Sequence, residues 1–227
     1  AKKVITYCHY VADQLISIGM HHSMIEIIPC GIEVTRERVE NPKSNDLLVI
    51  ARHDNNKNLL FLLKAFDYFQ SHHRSERVVL KIIGKEGSDT KLLRKKINQL
   101  SCPEQVELIH SISKENLISM IRSSFALISA SSEEGFDYPV LEAKAEGIPT
   151  LISDIPVHQE FHKYSSLFFS IDHGPLDFCF GLQTLLQDRC LWRQLSLDGY
   201  QLANRMSLTE QRNKIKELMI DISDIQI

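Results

Sequence analysis

The sequence lacks several features that mark specialised classes of protein. Its five cysteines form no CxxC pair, and their odd number favours reduced, mostly structural thiols over a disulfide framework. No apolar run approaches the roughly 20 residues that cross a bilayer. The first residues, AKKVITYCHY, lack the apolar core and small-residue cleavage site of a signal peptide. We therefore expect a cytoplasmic protein.

The chain also lacks an excess of basic residues and any clustering of metal ligands. Lysine and arginine number 26 against 29 acidic residues, which argues against a nucleic-acid binder. Among the ten histidines, His21-His22 and His72-His73 are adjacent pairs. Adjacent residues do not share one helix face, so we expect no metal site.

Short apolar runs that predict strands alternate with longer amphipathic segments along the whole chain. The predicted strands are 4–7, 25–29, 46–51, 77–84, 105–109, 125–130, 150–153 and 166–171. Such a β–α series with short connections predicts an α/β, Rossmann-like fold, a parallel sheet with helices on both faces. Ligands bind at the carboxyl ends of such strands, which indicates the segments 51–58, Gly84, 109–113 and 131–139.

Helical spacing of apolar residues is clearest in NLLFLLKAFDYF, residues 58–69. Further helices are predicted up to Gly19, at 88–100 with Ser88 as N-cap, and at 113–123. The chain after about Gly174 is predicted to be helical, with a break near residues 206–207.

The segment SSEEGFDYPVLEAKAEGIPT, which starts at Ser131, has the features of an anion site. Pro139 suits a first helical position, so a helix should begin at Tyr138–Pro139 and turn free amides and its positive dipole end outward. A diphosphate fits there, and Gly135 permits its close approach. A carboxylate at Glu142, in the first turn, could accept hydrogen bonds from a ribose diol. Glu134 would face the group beyond the phosphates.

Two basic residues follow the buried strand that ends near Ala51. Arg52 and Lys57 could reach one diphosphate from a single loop, arginine as a fork and lysine as a point charge. Together they would stabilise a departing nucleoside diphosphate as its bond to a sugar breaks.

These residues carry a resemblance to a known family. The block EGFDYPVLEAKAEGIPTLISDIPVHQE resembles the E-x7-E signature of retaining GT-B glycosyltransferases of family 4, with Glu134 and Glu142 as the spaced acids. Four more segments are similar to family motifs in the family's order: YCHYVADQLISIGMHHSMIEIIPCGIE, VIARHDNNKN, LKIIGKEG and VELIHSISKENL. The resemblance covers nearly the whole chain.

The resemblance implies a domain organisation. Family members have two Rossmann-like domains around a cleft, and this chain is similar to the C-terminal, donor-binding one. Residues 1–24 would be the crossover strand and helix beside a missing N-terminal domain, 25–206 the donor-binding domain and 207–227 a returning helix. Because the chain does not begin with Met, we expect a fragment of a longer protein.

The resemblance also assigns roles. Glu134 would contact the donor sugar as the catalytic residue, Ile112 would contact the base through its backbone, and Glu142 would bind the ribose hydroxyls. The complete set of implied donor-binding residues is Arg52, Lys57, Ile112, Gly135, Phe136, Asp137, Tyr138 and Glu142. Neither a metal nor a cofactor is implied.

The implied reaction is transfer of a hexosyl or deoxyhexosyl group, with retention, from a nucleoside-diphosphate sugar to a glycan or lipid-linked acceptor. SDIPVHQE, residues 153–160, is similar to versions in bacterial surface-polysaccharide transferases that use mannose- or rhamnose-type donors. The full enzyme would associate peripherally with the inner face of the membrane and bind no nucleic acid.

Asp137 departs from the family pattern, which has glycine there. A carboxylate facing a diphosphate is repulsive, so Asp137 must point away, pair with Lys57 or Arg52, or contact a donor hydroxyl. Otherwise the site is inactive, and the chain is a non-catalytic partner subunit with a degenerate phosphate turn. A sugar-nucleotide epimerase is a third alternative. Three further histidines are predicted to be polar surface or helix residues rather than catalysts: His110, His158 and His162.

Overall fold

The computed structural model describes residues 3–34, 36–73 and 77–224, and its centre is a parallel sheet. The strands are β1 Val4–Thr6, β2 Ile25–Ile27, β3 Leu47–Ile50, β4 Leu80–Ile83, β5 Val106–Ile109, β6 Ala126–Ser129, β7 Thr150–Ser153 and β8 Leu167–Phe169. Six of them form one sheet in the order β5–β4–β3–β6–β7–β8, and every pairing is parallel. The predicted α/β, Rossmann-like architecture is confirmed.

Helices separate most of these strands, and three helices follow the last strand of the described chain. They are α1 His9–Ser17, α2 Leu59–His72, α3 Thr90–Ile97, α4 Lys114–Ser123, α5 Tyr138–Ala145, α6 Pro156–His162, α7 Pro175–Gln187, α8 Arg189–Arg205 and α9 Leu208–Asp224. The central strands β3, β6 and β7 are buried almost throughout, as expected for parallel strands covered on both faces.

Aromatic side chains from the helices complete the core. Phe66 and Phe69 of α2 are fully buried. From α8, the indole N–H of Trp192 donates to the carbonyl of Phe125, 2.9 Å away, just before β6. A buried indole needs such a partner, so this bond fixes α8 against the sheet.

The strand order reverses between β3 and β6. From β3 the chain steps outward to β4 and β5, then returns to β6 on the other side of β3 and continues to β7 and β8. Connections that diverge in this way leave a crevice at the carboxyl ends of the two strands. There the segments 51–58 and 130–138 lie side by side, and the amide of Ser132 donates to the carbonyl of Asn56 at 2.8 Å.

Most predicted elements are confirmed within a few residues, but Ser88 is not the N-cap of α3. Asp89 precedes the helix, and the amide of Ser88 is bound to the Asp54 carboxylate at 3.2 Å. Ser113 does cap α4, because its hydroxyl accepts from the amide of Asn116 at 3.3 Å. The short helix α6 was not predicted.

The helical region after Gly174 is divided twice. Asp188 separates α7 from α8 and caps α8 by accepting from the amides of Cys190 and Leu191, each at 2.9 Å. The predicted break at 206–207 is confirmed, and a parallel bridge joins Ile32 to Ser207 there.

The two ends of the described chain can be compared with the domain boundaries predicted after residues 24 and 206. β1 pairs with β2 in the register Val4 to Ile25, across the predicted boundary after residue 24, and α9 begins one residue after the predicted start of the returning helix. The three-part division stays a prediction. Across the described ranges, every helix is too short or too polar to cross a membrane.

A substitution at Gly84 tests the close packing of strand ends at the crevice. A Cβ there would lie 1.7 Å from the carbonyl oxygen of Ala51, whereas a Cβ at Gly135 would have nothing within 4 Å. We expect Gly84→Ala to lower the free energy of unfolding by about 1–3 kcal/mol, as overpacking does. The matched control Gly135→Ala should change it by less than about 0.5 kcal/mol. Equal losses in denaturant unfolding would contradict this packing.

Candidate functional site

An ion pair joins the two loops that meet at the crevice. Lys57 ends the 3-10 helical turn Asn55–Lys57 that follows β3, and its ammonium donates to Oε1 of Glu134. The hydroxyl of Ser131 donates to the same oxygen at 2.6 Å. The side chains of Lys57 and Glu134 are only 21% and 10% exposed, so water screens their attraction weakly.

The helix α5 begins beside this pair. It starts at Tyr138 with Pro139 next, as predicted. Among the described residues, none accepts a backbone hydrogen bond through its carbonyl from the amides of Phe136, Asp137 or Tyr138. Unpaired amides at a helix N-terminus favour anions, so this turn is a candidate anion site next to Lys57.

The crevice between the strand ends is narrow. Its lining includes Ala51, Lys57, Ser131, Asp137 and Pro139, and its volume is about 10 Å³. That is room for about one water molecule. An anion the size of a diphosphate therefore fits the mouth of the crevice, against the ion pair and the start of α5, rather than its interior.

Asp137 points away from the turn's surface into the protein. Its backbone is left-handed, with φ of 60°, and the residue is 6% exposed. Its Oδ2 lies 2.9 Å from Nε2 of His158 and accepts from the hydroxyl of Ser129 at 2.5 Å. Burial acts to raise the pKa of Asp137, but the hydrogen bonds and the charge of His158 outweigh it and hold that pKa below its ordinary value.

Arg52 does not join this group. Its Nε lies 3.3 Å from the Asp54 carboxylate and 3.3 Å from the carbonyl of Glu86, which it donates to. Its side chain is 64% exposed. We expected one loop to place both Arg52 and Lys57 at the start of α5, and only Lys57 lies there. The guanidinium of Arg52 is held by Asp54 and by the loop after β4 instead.

Glu142 lines a separate cavity beside α5 and α4. This cavity has a volume of about 200 Å³, and Lys114, Tyr138 and Glu142 line it. Glu142 stands in the second turn of α5, not the first as predicted. Burial raises the pKa of Glu142, and nearby Lys114 opposes that rise. Ile112 is half-buried two residues before Lys114, so its backbone lies close to this end of α4.

The turn residues Gly135 and Phe136 differ in exposure. Gly135 is exposed and its carbonyl accepts from the thiol of Cys8 at 3.4 Å. The ring of Phe136 is 5% exposed and packs edge-on against Phe161 and Tyr7, with centroids 5.0 Å and 6.3 Å away. Only the backbone of Phe136 can therefore line the turn, while its ring anchors it.

His158 is a site residue that the sequence did not reveal. His158 and His162 lie on α6, within the prediction of polar surface or helix residues, but both are fully buried. His110 is exposed, with Nε2 3.0 Å from the guanidinium of Arg94. One feature of the sequence indicated that a residue such as His158 was needed. Asp137 is an acid where the resembled family has glycine, and its carboxylate therefore needs a partner inside the protein.

The described part of the chain contains no group of three or more His, Cys, Asp or Glu side chains that could hold a metal ion. The expectation of a metal-free site stays a prediction.

Curated relatives match part of the chain. The serotype-specific mannosyltransferase WbdA of Escherichia coli is 36% identical over 92 residues, 39% of this chain and 11% of that protein. The O-antigen chain mannosyltransferase RfbU of Salmonella typhimurium is 31% identical over 80 residues, 35% of this chain and 23% of that protein. The matched region thus spans less than a quarter of either relative.

Solved structures match the fold over nearly the whole chain. The pneumococcal O-GlcNAc transferase GtfA, in complex with UDP and GlcNAc, superposes with a TM-score of 0.80 at 20% identity, covering 98% of this chain and 45% of that one. Anabaena HepE, in complex with UDP and glucose, gives a TM-score of 0.85 at 14% identity, covering 97% and 64%. At these identities the likeness concerns the fold alone.

A family match covers the crevice and both of its loops. Residues 32–166, more than half of the chain, match the family described as glycosyl transferases group 1. This range includes Lys57, Glu134, Glu142 and His158. The chain therefore belongs to the glycosyl transferases group 1 family.

Proposed function

We propose that this chain binds the nucleoside-diphosphate sugar of a retaining glycosyltransferase of family 4, which transfers a hexosyl or deoxyhexosyl group to a glycan or lipid-linked acceptor. One observation carries the proposal: Lys57 and Glu134 form a partly buried ion pair beside the start of α5. The pair stands where β3 and β6 diverge, the usual ligand position in such a sheet.

The diphosphate would lie across the first residues of α5. The amides of Phe136, Asp137 and Tyr138 and the helix dipole supply partial positive charge, and Lys57 supplies a full one. Phosphate oxygens would compete with Glu134 for the Lys57 ammonium, so donor binding releases the Glu134 carboxylate. That carboxylate would then face the donor sugar as the catalytic residue.

The nucleoside would lie on the Glu142 side of α5. The cavity of about 200 Å³ there combines the carboxylate of Glu142 with the ring of Tyr138, which is 39% exposed. A carboxylate accepts both hydroxyls of a ribose diol, and an aromatic face supports a base. The backbone of Ile112 would contact the base. Arg52, long and exposed, supplies a second cation if it leaves Asp54.

The mannosyltransferase relatives support a role in bacterial surface-polysaccharide synthesis. The acceptor would bind an N-terminal domain that faces the crevice, and the full enzyme would act in the cytoplasm at the inner face of the membrane. The proposal needs neither a metal nor a cofactor, because Lys57 and the helix start offset the phosphate charge.

A degenerate, non-catalytic subunit is the main alternative, and the position of Asp137 argues against it. The carboxylate that would repel a diphosphate is turned inward onto His158 and Ser129. An epimerase would need carboxylates from a second domain, and no residue of this crevice favours it.

Nucleotide titration tests the proposal directly. We expect UDP or GDP to bind in isothermal calorimetry with a Kd below 1 mM (about −4 kcal/mol). Lys57→Ala should weaken binding at least tenfold, about 1.4 kcal/mol, because it removes the cation at the helix start. The control Lys64→Ala, an exposed lysine of α2, should bind as the unsubstituted protein does. No binding at millimolar nucleotide would refute the proposal.

Glu142→Gln should separate stability from binding. Because burial raises the pKa of Glu142, the folded state binds more protons than the unfolded state just above the unfolded pKa. The free energy of unfolding therefore falls as the pH rises from the unfolded pKa of Glu142 through its folded pKa. At neutral pH the buried, ionised carboxylate still destabilises the folded state. Glu142→Gln should raise the free energy of unfolding at pH 7 by up to about 1 kcal/mol and weaken nucleotide binding. Lower stability together with unchanged affinity would contradict the assigned role.

Asp137→Gly distinguishes a working site from a degenerate one. If Asp137 spoiled the phosphate turn, its removal would strengthen nucleotide binding severalfold. We expect the opposite, a loss of about threefold to tenfold, because the substitution leaves His158 buried without its carboxylate. Calorimetry on both proteins decides between these outcomes.

A further inference from the structure

We propose that His158 is a positioning residue of the donor site: as a buried imidazolium it fixes the Asp137 carboxylate and, through it, the turn that opens α5. The inference rests on the proposed function for its role in binding. The ion pair itself follows from the geometry.

The hydrogen-bond partners of His158 define its protonation. Nδ1 lies 2.7 Å from the carbonyl oxygen of Ser153, which can only accept. The hydroxyl oxygen of Ser153 also lies 3.3 Å from Nδ1. Its hydrogen is donated to the carbonyl of Ser131 at 2.5 Å, so towards the ring this oxygen can only accept. Nε2 lies 2.9 Å from Oδ2 of Asp137, an oxygen that also accepts from Ser129. With Asp137 ionised, both ring nitrogens must donate, so the ring carries a hydrogen on each and a positive charge.

No nearby cation substitutes for His158 within the described residues. Lys57 is the other basic group near Asp137, and it is bound to Glu134. The side chains of His158 and Asp137 are 0% and 4% exposed, so water cannot offset either charge. Each charge is therefore stable in the folded protein only while the other is present.

The pair fixes the turn because the helix that carries His158 has anchors of its own. Asp137 sits in the left-handed region, which aspartate tolerates better than most residues. On the other side, α6 is anchored by Glu160, whose carboxylate accepts from the amide of His9 at 2.9 Å, and by Phe161, which packs on Phe136. The bond from His158 therefore ties the turn to a braced helix.

This arrangement explains how an acid occupies a turn built for anions. The imidazolium neutralises Asp137 and draws its side chain inward, while the amides of Phe136, Asp137 and Tyr138 keep no backbone acceptor among the described residues. The positioned turn then offers an anion its amides and Lys57 without a repulsive carboxylate.

A double-mutant cycle tests the coupling. His158→Gln, which removes the charge, should weaken UDP or GDP binding by at least about thirtyfold in calorimetry. In the Asp137→Gly background the same change should cost less than about threefold, because no buried carboxylate remains to be neutralised. The control His173→Gln alters an exposed pair, with Nδ1 3.8 Å from Asp177, and should change nothing. Equal losses in both backgrounds would overturn the proposal.

Two further measurements test the His158–Asp137 ion pair separately from nucleotide binding. In nitrogen-15 NMR at neutral pH, both ring nitrogens of His158 should be protonated, and a bare nitrogen would refute the imidazolium. If the unsubstituted protein binds no nucleotide, the proposed function fails, and thermal unfolding of the same variants still tests the pair. His158→Gln should then lower the Tm in the unsubstituted background and not in the Asp137→Gly background, and equal shifts would count against the pair.

Discussion

The structure depends on how the turn between β6 and α5 accommodates two acids. Glu134 and Asp137 stand three residues apart, in a turn whose amides at the helix start have no backbone acceptor among the described residues. Each acid has its own cation: Lys57 binds Glu134 from the loop after β3, and His158 binds Asp137 from α6. Because β3 and β7 flank β6 in the sheet, the turn is held by ionic bonds from both sides.

The two pairs are not equivalent, and the difference matters for chemistry. The Asp137–His158 pair is almost entirely buried, whereas the Lys57–Glu134 pair borders the mouth of the crevice. If one partner of a buried ion pair were bound by another group, the remaining partner would be a buried charge without a counter-charge, which is strongly unfavourable. At the crevice mouth, under the proposed function, an incoming anion would replace Glu134 as the partner of Lys57. The inner pair would then be structural, and the outer pair the one that a ligand opens.

The sequence was sufficient for those features that local rules decide. The strands follow from apolar runs, and the start of α5 follows from Pro139, since a proline fits the first turn of a helix in any protein. Lys57 lies beside the start of α5, as predicted, because the strand order brings the loops after β3 and β6 together. Arg52 did not, because Asp54 and Glu86 compete for its guanidinium, and such competition depends on how loops lie in space.

α6 and His158 show the same limit more clearly. The helix has seven residues, too few for a periodic pattern to stand out, and His158 has the polarity of a surface residue. Its burial is favourable only because two acceptors contact its ring, Ser153 five residues earlier and Asp137 21 residues earlier. One clue was available: Asp137 stands where the resembled family has glycine, beside the predicted anion site. A carboxylate that turns away from a diphosphate into the protein needs a partner there, and the histidine 21 residues later supplies it.

α6 also links the turn to the beginning of the chain. Glu160 accepts from the amides of His9 and Tyr10 at the N-terminus of α1, where a carboxylate complements the helix dipole. Two residues earlier on α6, His158 holds Asp137, and the thiol of Cys8 donates to the carbonyl of Gly135. The segment that carries β1 and α1 thus contacts the turn both directly and through α6. A displacement of α1 would strain the contacts that place the turn's amides, so the geometry of the anion site and the position of this segment are mechanically coupled.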